Sequence, residues 1–265
     1  MTTAGGSEGT VGKALSVLDQ VASFGRPVRF SELLAVSDYP KATLYRLLQT
    51  LLQQGMISLD RDRQTYALGV RLVRLAHQAW RQSSLAPVAQ PYVEELSQRA
   101  GETVHVAQLD NGQVLYVDKR NARVPVEMYS QAGRVGPVYC TGVGKAMLAF
   151  LPEAEQDTII AQQSFHRFTD TTYTTAHALR DELDAIRARG HAYDREEHEP
   201  GIICVAVPVL SANGRVLGGL SLTSTTERHT LASLEAHLPL IKTTVSRIAE
   251  DAEAFRFPDQ IKQNA

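Results

Sequence analysis

Cysteine is scarce in this chain: two among 265 residues, Cys140 and Cys204, far apart in sequence. That is too few for a disulfide framework, and free thiols in a reducing cytoplasm are the expectation. Long hydrophobic runs are missing as well. No stretch reaches eighteen apolar residues, which leaves no helical membrane span. The opening MTTAGGSEGT has neither the basic start nor the apolar core of a secretory signal, and reads as a short disordered lead over residues 1–9. No internal repeat and no low-complexity tract appear. Net charge is nearly absent too, at −2.

What is present is a soluble globular composition, 43% hydrophobic and 21% charged, long enough for two domains. The small net charge hides an asymmetry. Residues 1–84 carry ten Lys/Arg against six Asp/Glu, and residues 85–265 carry seventeen against twenty-three. A basic module joined to an acidic one points the first part alone at a polyanion.

In the basic part, VGKALSVLDQVASFG sets Ala14, Val17, Leu18 and Val21 at helical spacing and ends at Gly25. After Arg26-Pro27, Ser31 is placed to cap a short helix, ELLAV. The turn SDYP leads into KATLYRLLQTLLQQG, where Leu44, Leu47, Leu48, Leu51 and Leu52 form one buried stripe. Lys41, Tyr45, Arg46, Gln49 and Gln53 lie opposite. Two short strands, MISL and QTYAL, follow around the turn 60-DRDR-63. Helix, helix, turn, helix and a two-stranded wing is the winged helix-turn-helix order. A solvated helical bundle is the plain alternative, and the wing, the charge and the turn length favour DNA. Lys41, Thr43, Tyr45 and Arg46 then face the groove, with Arg61 and Arg63 at the wing tip on phosphates.

A further helix, VRLVRLAHQAWRQSS, gathers Leu72, Leu75, Ala76, Ala79 and Trp80 on one side. So small a domain has little core to cover them, and pairing with a second copy is the expected use. Beyond it the chain reads as α+β. A helix over 87–100 is closed by Gly101. TVHVAQL and QVLYVDK form a hairpin across Asp110-Asn111-Gly112, and VPVEMYS is expected as a third strand. Helices are expected near 143–150, 153–163 and 176–189. HAYD is a short strand, IICVAVPVL and RVLGGLSLTS a second hairpin, and one last helix runs over 230–253.

Three stretches of this part carry chemistry-bearing residues. In 140-CTGVGKAML-148 the G-x-G-K lacks phosphate-loop spacing, and Ala146 follows the lysine where Ser or Thr is needed. A glycine-rich turn opening a helix remains, suited either to close packing or to a small anion. In IICVAVPVL, alternation sets Cys204, Ala206 and Pro208 on one face. Ser221 and Thr223 share a face of the partner strand, and together these suggest a pocket wall. The run 194-DREEHE-199 matches no zinc spacing and reads as a charged loop with Glu196, Glu197 and Glu199 solvated. An enzyme using Cys204 or His198 beside a regulatory domain is the competing reading, although no general base is evident for Cys204.

Four pieces together, 40-PKATLYRLLQTL-51 with its wing, 140-CTGVGKAMLAFLP-152, 194-DREEHEPGIICVAVPV-209 and 217-LGGLSLTS-224, resemble the isocitrate lyase regulator (IclR) family of bacterial transcription factors over about 10–255. The resemblance implies a winged helix-turn-helix over 10–69, a dimerising linker helix over 70–84, and a GAF-like antiparallel-sheet effector domain over 85–255, with a tail over 256–265. It implies a DNA-binding regulator acting on double-stranded operator DNA as a dimer or dimer of dimers. Its effector would be a small acid (hydroxy, keto or sugar acid), with no cofactor, metal or catalytic residue. By motif, the amides of Gly142 and Val143 would hold a carboxylate and Asp194 would accept from a ligand hydroxyl or a bridging water. Cys204 would line the wall, and Ser221 and Thr223 would bond the polar head. The chain departs from the family pattern at Asp38, where Gly is usual in the turn and a left-handed Asp is expected instead. It departs also at Ala42 and Thr223, where Ser is common.

Overall fold

The computed structural model describes residues 9–254, so the disordered lead, Gly9 excepted, and the tail over 256–265 lie outside the described residues. The chain divides between Ala79 and Trp80 into two compact units.

The first unit runs α1 (Thr10–Ser23), β1 (Val28–Arg29), α2 (Phe30–Val36), α3 (Lys41–Gln53), β2 (Ile57–Asp60) and β3 (Thr65–Leu68), then enters α4 (Val70–Ser83). Its core is the expected one: Val17, Leu18 and Val21 of α1 meet Leu33 and the α3 stripe Leu44, Leu47, Leu48 and Leu51. Three details differ from the sequence reading. The wing sheet has a third strand, because Val28 and Arg29 pair with Tyr66 and Thr65 of β3. Ser31 does not cap α2. The helix starts earlier, after Arg29, whose N–H donates to Glu32 Oε2 at 2.9 Å while Arg26 holds the other oxygen at 2.7 Å. Asp38 is not left-handed: among the described residues, positive φ outside glycine is confined to Gln64, Asn111, Phe165 and Glu196. Extended Ser37 and Pro40 make the turn without it.

The second unit holds α5 (Ala86–Ala100), β4 (Thr103–Asp110), β5 (Gln113–Arg120), β6 (Val135–Gly136), α6 (Gly142–Leu148), α7 (Glu153–Ala161), α8 (Ala176–Arg189), β7 (Ala192–Arg195), β8 (Ile202–Leu210), β9 (Val216–Thr225), α9 (Leu231–Glu235) and α10 (Leu238–Ala254). The six strands form one antiparallel sheet in the order β6-β5-β4-β9-β8-β7. Both expected hairpins are there. Asn111 and Gly112 take φ of 48° and 73°, as a primed turn requires. Alternation divides the sheet cleanly. Ile203, Val205, Val207, Leu220 and Leu222 pack with α5 and α10, whereas Cys204, Ala206 and Ala107 pack with α6 and α8 on the opposite face.

Two expected elements change. VPVEMYS is not a strand: Pro125 brings no N–H, and the N–H of Tyr129 goes to both oxygens of Glu199 at 3.0 and 3.1 Å. The whole segment 121–134 crosses the pocket side without regular structure. The last helix is two helices, since Pro239 cannot donate to the carbonyl one turn back and the chain turns at Ala236-His237.

Candidate functional site

Two surfaces need accounting for, one in each unit. On α3, burying the leucine stripe turns Lys41, Ala42, Tyr45 and Arg46 outward, with Thr43 half-buried beside them. Tyr45 meets Phe30 edge-on at 6.2 Å, which steadies the ring while 54% of the residue stays exposed. Arg61 and Arg63 are exposed at the wing tip. There Asp60 Oδ1 accepts from the N–H groups of Asp62 and Arg63, both at 3.0 Å, and so fixes the turn. Two arginines therefore share the tip with two carboxylates. Its charge is balanced, whereas the exposed start of α3 carries cations alone.

In the second unit, α6 begins where it presses on the sheet. A Cβ at Gly142 would stand 2.3 Å from Cys204 Sγ and 3.5 Å from Asp194 Cβ, and one at Gly144 would stand 2.5 Å from the Val138 carbonyl. The G-x-G pattern is thus a packing requirement. It also leaves donors unspent: Thr141 gives its hydroxyl to the Pro137 carbonyl at 2.8 Å and makes no cap bond, so the first amides of α6 lack that partner. The register lines up Asp194, Cys204 and Thr223 across β7, β8 and β9. Beside them Ala206, Ser221 and His105 line up across β8, β9 and β4. Between these rows, α6 and the 121–134 segment lies a cavity of about 30 Å³. It is lined by His105, Tyr116, Ser130, Thr141, Gly142, Val143, Asp194, His198, Glu199, Ile202, Cys204, Ser221 and Thr223.

All six residues expected at the effector site, Gly142, Val143, Asp194, Cys204, Ser221 and Thr223, come together on that cavity. His105, Tyr116 and Ser130 were missed. Alternation in TVHVAQL and QVLYVDK puts His105 and Tyr116 on definite faces, but only strand order says which face meets the pocket. Ser130 sits on the segment mistaken for a strand.

The acidic loop is the larger correction. It is not solvated. Glu197 is 1% exposed, and its Oε1 lies 2.5 Å from Nζ of the fully buried Lys145, the lysine of the G-x-G-K stretch. Lys145 also stands 3.9 Å from Glu182 and 4.7 Å from the Tyr173 ring centre. Thr169, Thr171 and Thr172 donate their hydroxyls to the carbonyls of Glu196 and Glu197 at 2.6 to 2.9 Å. Glu199 is half-buried, holding Tyr129, and Glu196 accepts from the Gly201 N–H at 2.7 Å. A buried lysine needs a counter-charge, and that requirement draws the loop inward.

Electrostatics here favour protonated groups. Burial, then the neighbouring Glu197, pushes Asp194 up to about 8. The N–H of Glu197 donates to Asp194 Oδ1 at 2.9 Å. Burial and Asp194 also push the Cys204 thiol well up. A thiol held protonated is a poor nucleophile. His198 packs between the rings of Tyr129 at 5.1 Å and Phe168 at 4.6 Å. The Cys204/His198 enzyme reading loses its activated nucleophile. No group of three or more His, Cys, Asp or Glu placed to hold a metal occurs among the described residues.

The IclR helix-turn-helix domain matches residues 10–61, and the family's regulator C-terminal domain matches residues 77–250. The chain is similar to HTH-type transcriptional regulator XynR of Escherichia coli (strain K12), 31% identical over 254 residues, which cover 96% of this chain and 93% of that protein. It is similar in structure to the IclR of Thermotoga maritima, with a TM-score of 0.74 and 28% identity over 91% of this chain and 98% of that one. It shares its fold with an IclR homologue from Microbacterium hydrocarbonoxydans complexed with 4-hydroxybenzoate, TM-score 0.80 at 22% identity over 92% of this chain and 99% of that one. With a helix-turn-helix and an effector domain matched in order along one chain, this protein belongs to the IclR family of bacterial transcriptional regulators.

Proposed function

We propose that a small organic acid bound in the sheet cavity controls how tightly this regulator holds its operator, and that it acts in the cytoplasm as a dimer or dimer of dimers. The cavity carries the reading. It sets unspent α6 amides at Gly142 and Val143 against a wall of hydroxyls, with Asp194 beside them. Helix-terminal amides suit a carboxylate, and Ser221 and Thr223 suit hydroxyl or keto oxygens. A structural relative complexed with 4-hydroxybenzoate, an acid with a hydroxyl, supports the class.

Lys41, Thr43, Tyr45 and Arg46 would contact the major groove, with Arg61 and Arg63 on the backbone. On α4, Leu75 is 50% exposed, and Ala76 and Ala79 of the same side are exposed with it, an apolar face suited to a second copy. Ligand binding would close the second unit and shift α4, altering the spacing of two recognition helices; a ligand moves that equilibrium only by its unequal affinity for the two states.

Fluorescence anisotropy of the purified protein on DNA upstream of its own gene, against scrambled DNA at two salt concentrations, tests the first half. Selective binding that weakens with salt is expected. Small acids titrated into the complex test the second half. Operator affinity unchanged at saturating acid would overturn acid control.

A further inference from the structure

A buried imidazole that the effector reading leaves unused stands at the far end of the cavity. His105 Nε2 lies 2.8 Å from Ser130 Oγ, and its Nδ1 lies 3.2 Å from Thr223 Oγ1 and 3.3 Å from Ser221 Oγ. The two hydroxyls of β9 are 3.1 Å apart. Resting on the effector reading, we infer that His105 is a specificity-determining residue, selecting acids that carry a hydroxyl or carbonyl oxygen several bonds from the carboxylate.

A proton count supports this. Burial, then Lys119, pushes the imidazole down to about 3, so the ring is neutral and brings one N–H. With three hydroxyls, the cluster holds four protons for its contacts. If Nε2 carries the ring proton it donates to Ser130, Nδ1 accepts from one β9 hydroxyl, and the other β9 hydroxyl donates to the first. The Ser130 proton is then unspent. If Nδ1 carries it, Ser130 donates to Nε2, and one β9 hydroxyl proton is unspent instead. Either tautomer leaves one donor over, and every hydroxyl concerned lines the cavity. A ligand oxygen uses that donor. A methyl or methylene group leaves it buried and unpaired.

Strand spacing sets which oxygen is read. Gly142 sits over Cys204 and Ala206 on β8, Ser221 is the next strand's partner of Ala206, and His105 is one strand further. At about 4.8 Å per strand, the imidazole lies roughly 5–10 Å from the α6 amides. A carboxylate at α6 does not reach it, but an oxygen further along the ligand does. The cavity of about 30 Å³ is too small for such an acid as it stands. Backbone hydrogen bonds to neighbouring elements hold the 121–134 segment near its ends, Arg123 to Gly101 and Gly133 and Arg134 to Tyr116, and Ser130 lies between them. Ser130 therefore yields to the ligand oxygen, and the tautomer settles which proton is offered.

The test is calorimetric titration of the full-length protein with four pairs of acids: butanoate and 4-hydroxybutanoate, pentanoate and 4-oxopentanoate, benzoate and 4-hydroxybenzoate, cyclohexanecarboxylate and glucuronate. In at least one pair the oxygenated member is expected to bind about tenfold tighter or more. His105→Phe is expected to bring that ratio below about threefold, with the larger loss falling on the oxygenated member, and His105→Gln, keeping a donor and an acceptor, to restore most of it. Imidazole nitrogen-15 shifts are expected to show one neutral tautomer that changes with the oxygenated acid only. A preference that survives His105→Phe, an equal loss for both members, or ring shifts indifferent to the acid would overturn the inference. If circular dichroism shows His105→Phe unfolded, His105→Leu is read the same way. Binding of both members without preference sinks this inference alone, and binding of none of the eight sinks the effector reading with it.

Discussion

Asp194 and His105 lie in one cavity with opposite pH behaviour. The Asp194 carboxyl rises from 3.8 to about 8 on folding, so between those values the folded chain holds a proton that the unfolded chain has lost. Its contribution to stability is complete below 3.8 and is lost as pH rises to about 8. His105 falls from 6.5 to about 3, so its contribution is complete above 6.5 and is lost as pH falls toward 3. The two slopes oppose each other below pH 6.5, and only the Asp194 decline remains between 6.5 and about 8. Thermal midpoints are expected to fall across that upper window in the natural protein and to fall less in Asp194→Asn, where Glu197, also pushed up by burial, remains. A flat natural profile would refute the protonated carboxyl. Gly142 gives a second expectation at this scale. Gly142→Ala forces a methyl to 2.3 Å from Cys204 Sγ and is expected to cost about 1–3 kcal/mol. Combining it with Cys204→Ala is expected to recover most of that loss, and denaturant titration of the four-member cycle measures the recovery.

Among elements, α3 and the wing differ in charge, and that sets unequal expectations for the proposed DNA contacts. Lys41→Ala with Arg46→Ala removes two cations from an exposed helix face with no acidic residue in its first turn. The slope of log affinity against log salt is expected to shrink by about 2, with selectivity lost alongside. Arg61→Ala with Arg63→Ala removes charge that Asp60 and Asp62 already offset, and a smaller change in slope is expected. Equal effects would show the wing to be as deeply engaged as the helix. The α4 helix has its own expectation. Leu75 is half exposed in one chain, and Leu75→Glu places a charge in the proposed pairing face. Sedimentation velocity is expected to show monomer with an unchanged helical spectrum. Oligomer surviving the substitution would place the interface elsewhere.

At the scale of the molecule, each unit has its own core. Val17, Leu33 and Leu48 anchor one, and Val205, Leu220 and Ile241 belong to the other. Separate cores are expected to melt as separate calorimetric transitions. A bound acid at a hundred times its dissociation constant stabilises by about 2.7 kcal/mol, and that is expected to move the transition of the second unit alone. Equal shifts in both transitions would show the units unfolding as one.

Asp194 was expected at the pocket from the family resemblance alone, whereas local pattern was enough for the helix-turn-helix order, the α3 stripe, both hairpins of the second unit, the glycine turn at Gly142 and the wall of Cys204, Ser221 and Thr223. Each depends on helical period, strand alternation or turn chemistry, and neighbouring residues carry that information. Strand order was beyond the sequence. His105 joined the site because β4 pairs with β9, one hundred and eighteen positions away from it at Thr223, and nothing near TVHVAQL encodes that pairing. The loop 194–199 was misread for the same reason. Its carboxylates look solvated until Lys145, fifty-two residues from Glu197, is buried beneath them. The VPVEMYS segment has a strand's composition, yet Glu199 from another loop takes the Tyr129 N–H. Sequence decided what each segment wants locally; tertiary structure decided where buried charges and unpaired donors find partners, because desolvation penalises an isolated charge whatever its neighbours in the chain.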